Sequence, residues 1–106
     1  MGDKFLGLLG ICRKAGKLTT GAAKTTELIK QCRAEAVFIA CDLSAKTEKE
    51  LRFTANKNNT AVVRTPYSIE QLSAAVGIPT GALGISDNGF ATALNKLIVG
   101  GSLNDD

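Results

Sequence analysis

Six consecutive residues, Ala36-Val37-Phe38-Ile39-Ala40-Cys41, are apolar at every position. In an extended strand successive side chains point to opposite faces, so this run presents an apolar surface on both sides. A strand with one face in water would alternate with polar residues; this one needs helices above and below it. Those helices are legible on either side. Phe5, Leu8, Leu9 and Cys12 recur at helical spacing, which predicts a helix over residues 3–15 with one buried stripe. Thr25, Leu28, Ile29 and Cys32 repeat the spacing and predict a second helix over residues 21–33.

The rest of the chain continues the alternation. Thr47-Glu48-Lys49-Glu50 reads as a capping box for a third helix that runs to about Asn58 and buries Leu51, Thr54 and Ala55. Ser68-Ile69-Glu70-Gln71 is another, opening a fourth helix that buries Ile69, Leu72 and Val76 and stops at Gly77. Ser86 or Asp87 can cap a fifth, which carries Phe90, Leu94, Leu97 and Ile98. Between the helices, Leu18-Thr19-Thr20, Ala61-Val62-Val63 and Ala82-Leu83-Gly84-Ile85 have strand composition, the first as a short edge strand. Gly84 inside its strand implies close approach by a neighbouring element. With no repeat and no linker, the pattern predicts a three-layer α/β/α sandwich around a small mixed four-stranded sheet. Residues 1–99 form that single domain in this reading, and 100–106 a flexible tail.

Composition narrows the function classes. A chain of 106 residues that is 44% hydrophobic and 22% charged has enough apolar material for a soluble core without staples. No apolar run approaches the roughly 20 residues that span a bilayer. Neither a basic leader nor a signal-like apolar block opens the sequence, so a cytoplasmic location is expected. Cys12, Cys32 and Cys41 lack CxxC spacing, and with no histidine a zinc site would need an unusual ligand set. Three buried, reduced thiols and no metal or cofactor are the expectation. The net charge of +3 conceals an asymmetry: residues 1–64 carry +6 and residues 65–106 carry −3. Such a lopsided field attracts polyanions.

The basic residues crowd one stretch, Arg13-Lys14-Ala15-Gly16-Lys17-Leu18-Thr19-Thr20-Gly21-Ala22-Ala23-Lys24, which holds four cations in twelve residues. Gly16 reads as a helix stop. Gly21-Ala22-Ala23 then opens a helix with almost no side-chain bulk, and the free N–H groups of a bare helix start suit a phosphate. Lys14, Lys17 and Lys24 would surround it; an ordinary joint with solvated lysines is the alternative. A nucleotide-binding loop is excluded. Gly16 and Gly21 have the G-x-x-x-x-G spacing, but Ala22 and Ala23 stand where Lys and Ser or Thr are required, and the loop follows a helix instead of a strand. Catalysis has little support either. Asp42 closes a strand without the further acids a metal or phosphoryl site uses, so its expected part is to orient the loop that follows.

Taken together, Leu6-Gly7-Leu8-Leu9-Gly10, Arg13-Lys14-Ala15-Gly16-Lys17-Leu18, Gly21 and Ser86-Asp87-Asn88-Gly89-Phe90-Ala91 resemble the bacterial YlxQ-type proteins. These belong to the superfamily of kink-turn-binding ribosomal proteins, the seven-Ae type, and the likeness spans about residues 4–98. The resemblance implies an α/β/α sandwich, no enzymatic activity, and RNA binding tied to ribosomes or translation. It also implies where RNA docks: the start of the second helix (residues 21–27), the loop after the central strand (43–46) and the loop before the last strand (77–82). The expected contacts are Lys14, Lys17, Thr20 and Gly21, then Ala22, Ala23, Lys24 and Glu27, then Ser44 and Lys46. Ile78, Pro79, Thr80 and Gly81 complete the set, with phosphates at the helix end and an unstacked base against Ile78 and Pro79.

The family's kink-turn binders follow the glycine as G-x-N-E-x-x-K, whereas this chain has Ala23, Lys24 and Glu27 at the matching positions. Ala23 cannot make an amide's base contacts, and Glu27 puts an anion where the family has a cation. A standard kink-turn is therefore expected to bind poorly, or some variant of it to be preferred. A small monomeric RNA-binding protein is the first reading. A protein-interaction module on the translation machinery, with a merely solubilising basic face, is the second.

Overall fold

In the computed structural model, which describes residues 3–104 and side chains as far as residue 98, helices and strands alternate as the periodicity predicts. The helices are α1 (Lys4–Lys14), α2 (Ala22–Lys30), α3 (Ala45–Lys57), α4 (Ile69–Val76) and α5 (Asn88–Asn104). The strands are β1 (Leu18–Thr20), β2 (Ala36–Ile39), β3 (Val62–Arg64) and β4 (Ala82–Ile85), paired in the order β1-β4-β2-β3. β2 and β3 run parallel, while β4 is antiparallel to both β1 and β2, so the sheet is mixed. The C-terminal ends of β1, β2 and β3 therefore share one edge of the sheet with the N-terminal end of β4. We refer to it as the upper end.

The two apolar faces of β2 go to two different cores, as their alternation requires. Ala36, Phe38 and Ala40 join Phe5, Leu9, Leu72, Val76, Leu83 and Leu94 on the side covered by α1, α4 and α5. Val37 and Ile39 join Ile29, Leu51 and Ala55 under α2 and α3. The architecture is a three-layer α/β/α sandwich. Phe5 makes an edge contact with Phe38 and stacks on Tyr67, with ring centroids 5.3 Å apart in each pair. On the other face Gly84 leaves the room expected of it: a Cβ there would lie 2.9 Å from Leu28 Cδ2.

Helix ends follow the local chemistry, with one shift. Gly16 N–H and Lys17 N–H donate to the carbonyls of Arg13 and Cys12, a Schellman stop with Gly16 at φ 76°. Ser68 and Gln71 form the expected capping box, and Asp87 Oδ2 accepts from Phe90 N–H at the start of α5. The third helix starts earlier than the box at Thr47 predicts. Ser44 is its N-cap, accepting from Thr47 N–H, because its hydroxyl reaches the free donor one turn before Glu50 could.

Two cysteine expectations need correcting. Cys12 alone of the three is buried; Cys41 is partly exposed and Cys32 exposed. Cys32 leaves the buried stripe because α2 ends at Lys30 and Cys32 takes a left-handed turn, φ 59°. Burial, with a smaller contribution from the Asp87 charge, pushes the Cys12 thiol up to about 11. At the far terminus the backbone stays helical to Asn104, where the sequence suggested a tail from residue 100; residues 105 and 106 lie outside the described ones.

Asp3 closes the opposite end of the chain onto the body. It accepts from Phe5 N–H and Leu6 N–H as the α1 N-cap and takes a hydrogen bond from Tyr67 Oη. The Tyr67 bond, chiefly, holds its carboxyl below the usual value of 3.8. A depressed folded-state value contributes stability above the unfolded pKa and loses it as pH falls through the folded one. Asp3→Ala is expected to cost about 1 kcal/mol at neutral pH by the usual worth of an N-cap. Denaturant titrations of both proteins should show that difference shrinking on acidification below about pH 4; a difference independent of pH would rule the carboxylate out.

Candidate nucleic-acid interface

The upper end of the sheet gathers three loops that are far apart in sequence. Gly21 N–H donates to the Ala82 carbonyl and to Thr80 Oγ1, each at 2.9 Å. Thr80 Oγ1 in turn donates to the Ala82 carbonyl at 2.6 Å, and Thr80 N–H donates to Ser73 Oγ. Ala40 N–H donates to the Gly81 carbonyl, and a Cβ on Gly81 would meet Leu43 Cδ1 at 2.9 Å. Thr80 and Gly81 therefore lock the start of α2, the loop after β2 and the loop before β4 to one another. Thr80 is 5% exposed, which makes it the pin of this arrangement and not a contact for a ligand.

The start of α2 is bare. Gly21 is its N-cap at φ 93°, ψ 145°, a conformation open essentially to glycine alone, and no side chain caps the helix. Ala22, Ala23 and Lys24 hold the first-turn N–H groups that have no partner inside the helix. Ala23, Lys24 and Glu27 are exposed, and Thr20, Gly21 and Ala22 half-buried behind them. Ser44 and Lys46 are exposed at the start of α3, and Ile78, 37% exposed, stands with Pro79 on the rim of the β4 loop. Among the described residues Lys24 and Lys46 enter no ion pair. What results is an unpaired N–H cluster with two free cations and a small apolar rim, suited to an anion on a partly apolar body.

Lys14 and Lys17 do not join it. Ser86 N–H donates to the Lys17 carbonyl at the C-terminal end of β4, the lower end of the sheet. β1 separates Lys17 from Gly21 by roughly 13 Å at the usual rise per residue. Lys14 ends α1 on the same lower side. Spacing along the chain suggested that these lysines surround the start of α2, but an intervening strand, however short, carries the chain from one end of the sheet to the other. Arg13, the remaining cation of that stretch, donates to the Val76 carbonyl at the end of α4.

Residues 3–95 match the Ribosomal protein L7Ae/L30e/S12e/Gadd45 family. The chain belongs to that family. The RNA-binding protein YlxQ of Enterococcus faecium is 34% identical to it, over 92% of this chain and 94% of that protein. Among solved structures, a protein with unknown function from Bacillus halodurans C superposes with a TM-score of 0.86 at 25% identity, over 92% of this chain and 99% of that one. The Giardia lamblia 15.5kD RNA binding protein shares the fold, with a TM-score of 0.71 at 17% identity over 97% and 92% of the two chains.

One residue at the upper end of this family member, Arg64, went unnoticed in the sequence. Arg64, at the end of β3, donates through its guanidinium to the Cys41 carbonyl and adds an exposed cation beside the loop after β2. A cation closing a strand parallel to β2 was the available signal. Asp42 accepts from Ile69 N–H at the first turn of α4, so it orients the start of that helix. Among the described residues no three His, Cys, Asp or Glu side chains gather to hold a metal, and no helix is long and apolar enough to cross a membrane.

Thr80→Val keeps the shape of the pin and removes its hydroxyl. It should cost about 1–3 kcal/mol, the usual penalty for stranding buried partners. Amide exchange at Gly21 should rise in parallel. Unchanged exchange there would mean that the Ala82 carbonyl suffices to hold the start of α2.

Proposed function

We propose that this chain is a non-enzymatic RNA-binding protein whose interface is the upper end of the sheet. One observation carries the reading: Thr80 ties an uncapped helix start to the loop that bears Ile78 and Pro79. A phosphate suits the first and an unstacked base the second, and structured RNA offers both within one fold. The +6 charge of residues 1–64, and Lys24, Lys46 and Arg64 around the site, supply the long-range attraction. The ribosomal family and the name of the Enterococcus faecium relative support a binding protein acting on RNA. A translation-related role in the cytoplasm, with the ribosome as a partner and the protein acting as a monomer, is the physiological setting we infer.

Phosphate contacts of this kind give a salt-dependent affinity, with a log–log slope of about 0.7–0.9 per neutralised phosphate. The double variant Lys24→Ala, Lys46→Ala should weaken binding and lower the slope by roughly 1.4–1.8 if each lysine neutralises one phosphate. Lys14→Ala with Lys17→Ala should leave the slope nearly unchanged, since both lie at the lower end. If the two double variants behave alike, the interface is not the one described. If neither changes anything, the protein-interaction reading takes its place.

Selectivity is the finer question. The side chains at Ala23 and Glu27 cannot supply the amide and the cation of the kink-turn pattern, so discrimination between a kink-turn and an unkinked RNA of equal length should be weak. Ala23→Asn, Lys24→Glu and Glu27→Lys together rebuild that pattern on the same turns of α2. A bonded base edge is worth on the order of 1–3 kcal/mol by analogy with DNA readout, so the ratio of the two affinities should rise about fivefold or more in the triple variant. Strong kink-turn selectivity in the unmodified protein would defeat this reading.

A further inference from the structure

The outer face of α3 carries a feature that its packing does not explain. Leu51 and Ala55 turn inward to the sheet, and Phe53, about half a turn away, points outward and is 66% exposed. Single apolar side chains are common on protein surfaces, so an exposed phenylalanine takes its meaning from what surrounds it. Its neighbours say what. Lys46, Lys49, Glu50, Phe53 and Thr54 line a depression of about 500 Å³ on this face. Lys57 lies one turn further on, with Nζ 5.1 Å from the centroid of the Phe53 ring. Lys46, Lys49, Phe53 and Lys57 fall at helical spacing, so three cations and one aromatic ring share a stripe about 16 Å long. Glu50 is the only acid in the lining; the other acid of the helix, Glu48, is paired with Arg52.

We propose that this stripe is a second RNA contact, on which an unpaired base from a single-stranded segment flanking the structured RNA stacks against Phe53 while Lys49 and Lys57 hold its phosphates. The inference rests on the RNA-binding reading above and extends it. Lys46 belongs to both surfaces, so a strand leaving the upper end of the sheet meets the stripe at its first residue. An aromatic ring set among cations is the arrangement that binds single strands with little regard to sequence, since every base has a face to stack. The Lys57 ammonium already rests on the ring and can turn outward to a phosphate without disturbing the fold. Glu50 is placed to accept from the exocyclic amine of adenine or cytosine.

The test uses the full chain in two arms. In the first, a short oligoadenylate is titrated while the Phe53 ring protons and the α3 amides are followed by NMR. These signals should move, and Phe53→Ala, at an exposed position, should abolish the α3 shifts while leaving thermal stability intact. In the second, a structured RNA with a single-stranded extension should bind about fivefold or more tighter than its blunt form. That advantage should vanish in Phe53→Ala and persist in Phe53→Tyr, with the affinity for the blunt RNA unchanged throughout. If the blunt RNA binds but neither the ring signals nor the extension advantage appears, this inference falls and the upper-end interface stands. If the blunt RNA does not bind, the earlier reading falls, and the oligoadenylate shifts alone uphold or overturn this one. A dimer that Phe53→Ala dissolves, without RNA-induced shifts, would assign the stripe to a second copy of the chain and overturn the proposal.

Discussion

The structure depends on one strand being buried on both sides. β2 has no polar position to give to water, so the chain must cover it twice, and every other element is placed by that demand. Phe38 and its neighbours require α1, α4 and α5; Val37 and Ile39 require α2 and α3. A fully buried large apolar side chain contributes about 1.5–3 kcal/mol, and β2 with β4 places five of that kind, Val37, Phe38, Ile39, Leu83 and Ile85, at the centre of the molecule. The flanking strands bury less: β1 and β3 are half-buried edges. That gradient leaves the loops at the sheet's ends free to carry function on a rigid base.

The candidate interface follows from how the strands are joined. Because β4 runs against β2 and β1, its first residues arrive where theirs end, bringing the loop around Thr80 to the start of α2. The Thr80 hydroxyl then settles the local hydrogen bonding. It takes one proton from Gly21 and gives its own to Ala82, and the α2 donors beyond Gly21 stay unpaired and directed outward. Glycine at the N-cap matters twice. It reaches a backbone conformation that other residues would reach only with strain, and it brings no side chain to cap the helix. The same fold with serine at that position would satisfy one of those donors internally and present a weaker anion site.

Electrostatics gives the upper end its preference without fixing its partner. Lys24, Lys46 and Arg64 stand around it, and the lysines of α3 continue the positive surface down one side of the sandwich. Lys14 and Lys17 contribute to the general field from the far end, over distances comparable with the roughly 8–10 Å screening length at physiological salt. In the proposed interface their effect on association is accordingly diffuse, while the upper-end cations would act at contact. Glu27, exposed on the same helix as Lys24, opposes their charge.

Local pattern was enough to settle the elements and most of their caps, the start of α3 at Ser44 being the exception. The all-apolar run that supplies β2, the helical stripes through Phe5 and, short of Cys32, through Leu28, the Ser68 capping box and the Gly16 stop are all short-range consequences of side-chain geometry, and each is found in place. The resemblance to the family was legible for the same reason, since its blocks are contiguous. Juxtaposition was another matter. Whether a lysine belongs to a site depends on which end of a three-residue strand it occupies, and nothing in the spacing of Lys17 and Gly21 reveals that β1 divides them. Thr80 reads as a loop residue until its hydroxyl is seen under Gly21, and Phe53 reads as one more apolar residue of a helix until α3 is turned to bury Leu51 and Ala55. Hydrogen bonding and burial between segments tens of residues apart decide such things, and they exist only once the sheet has brought those segments together.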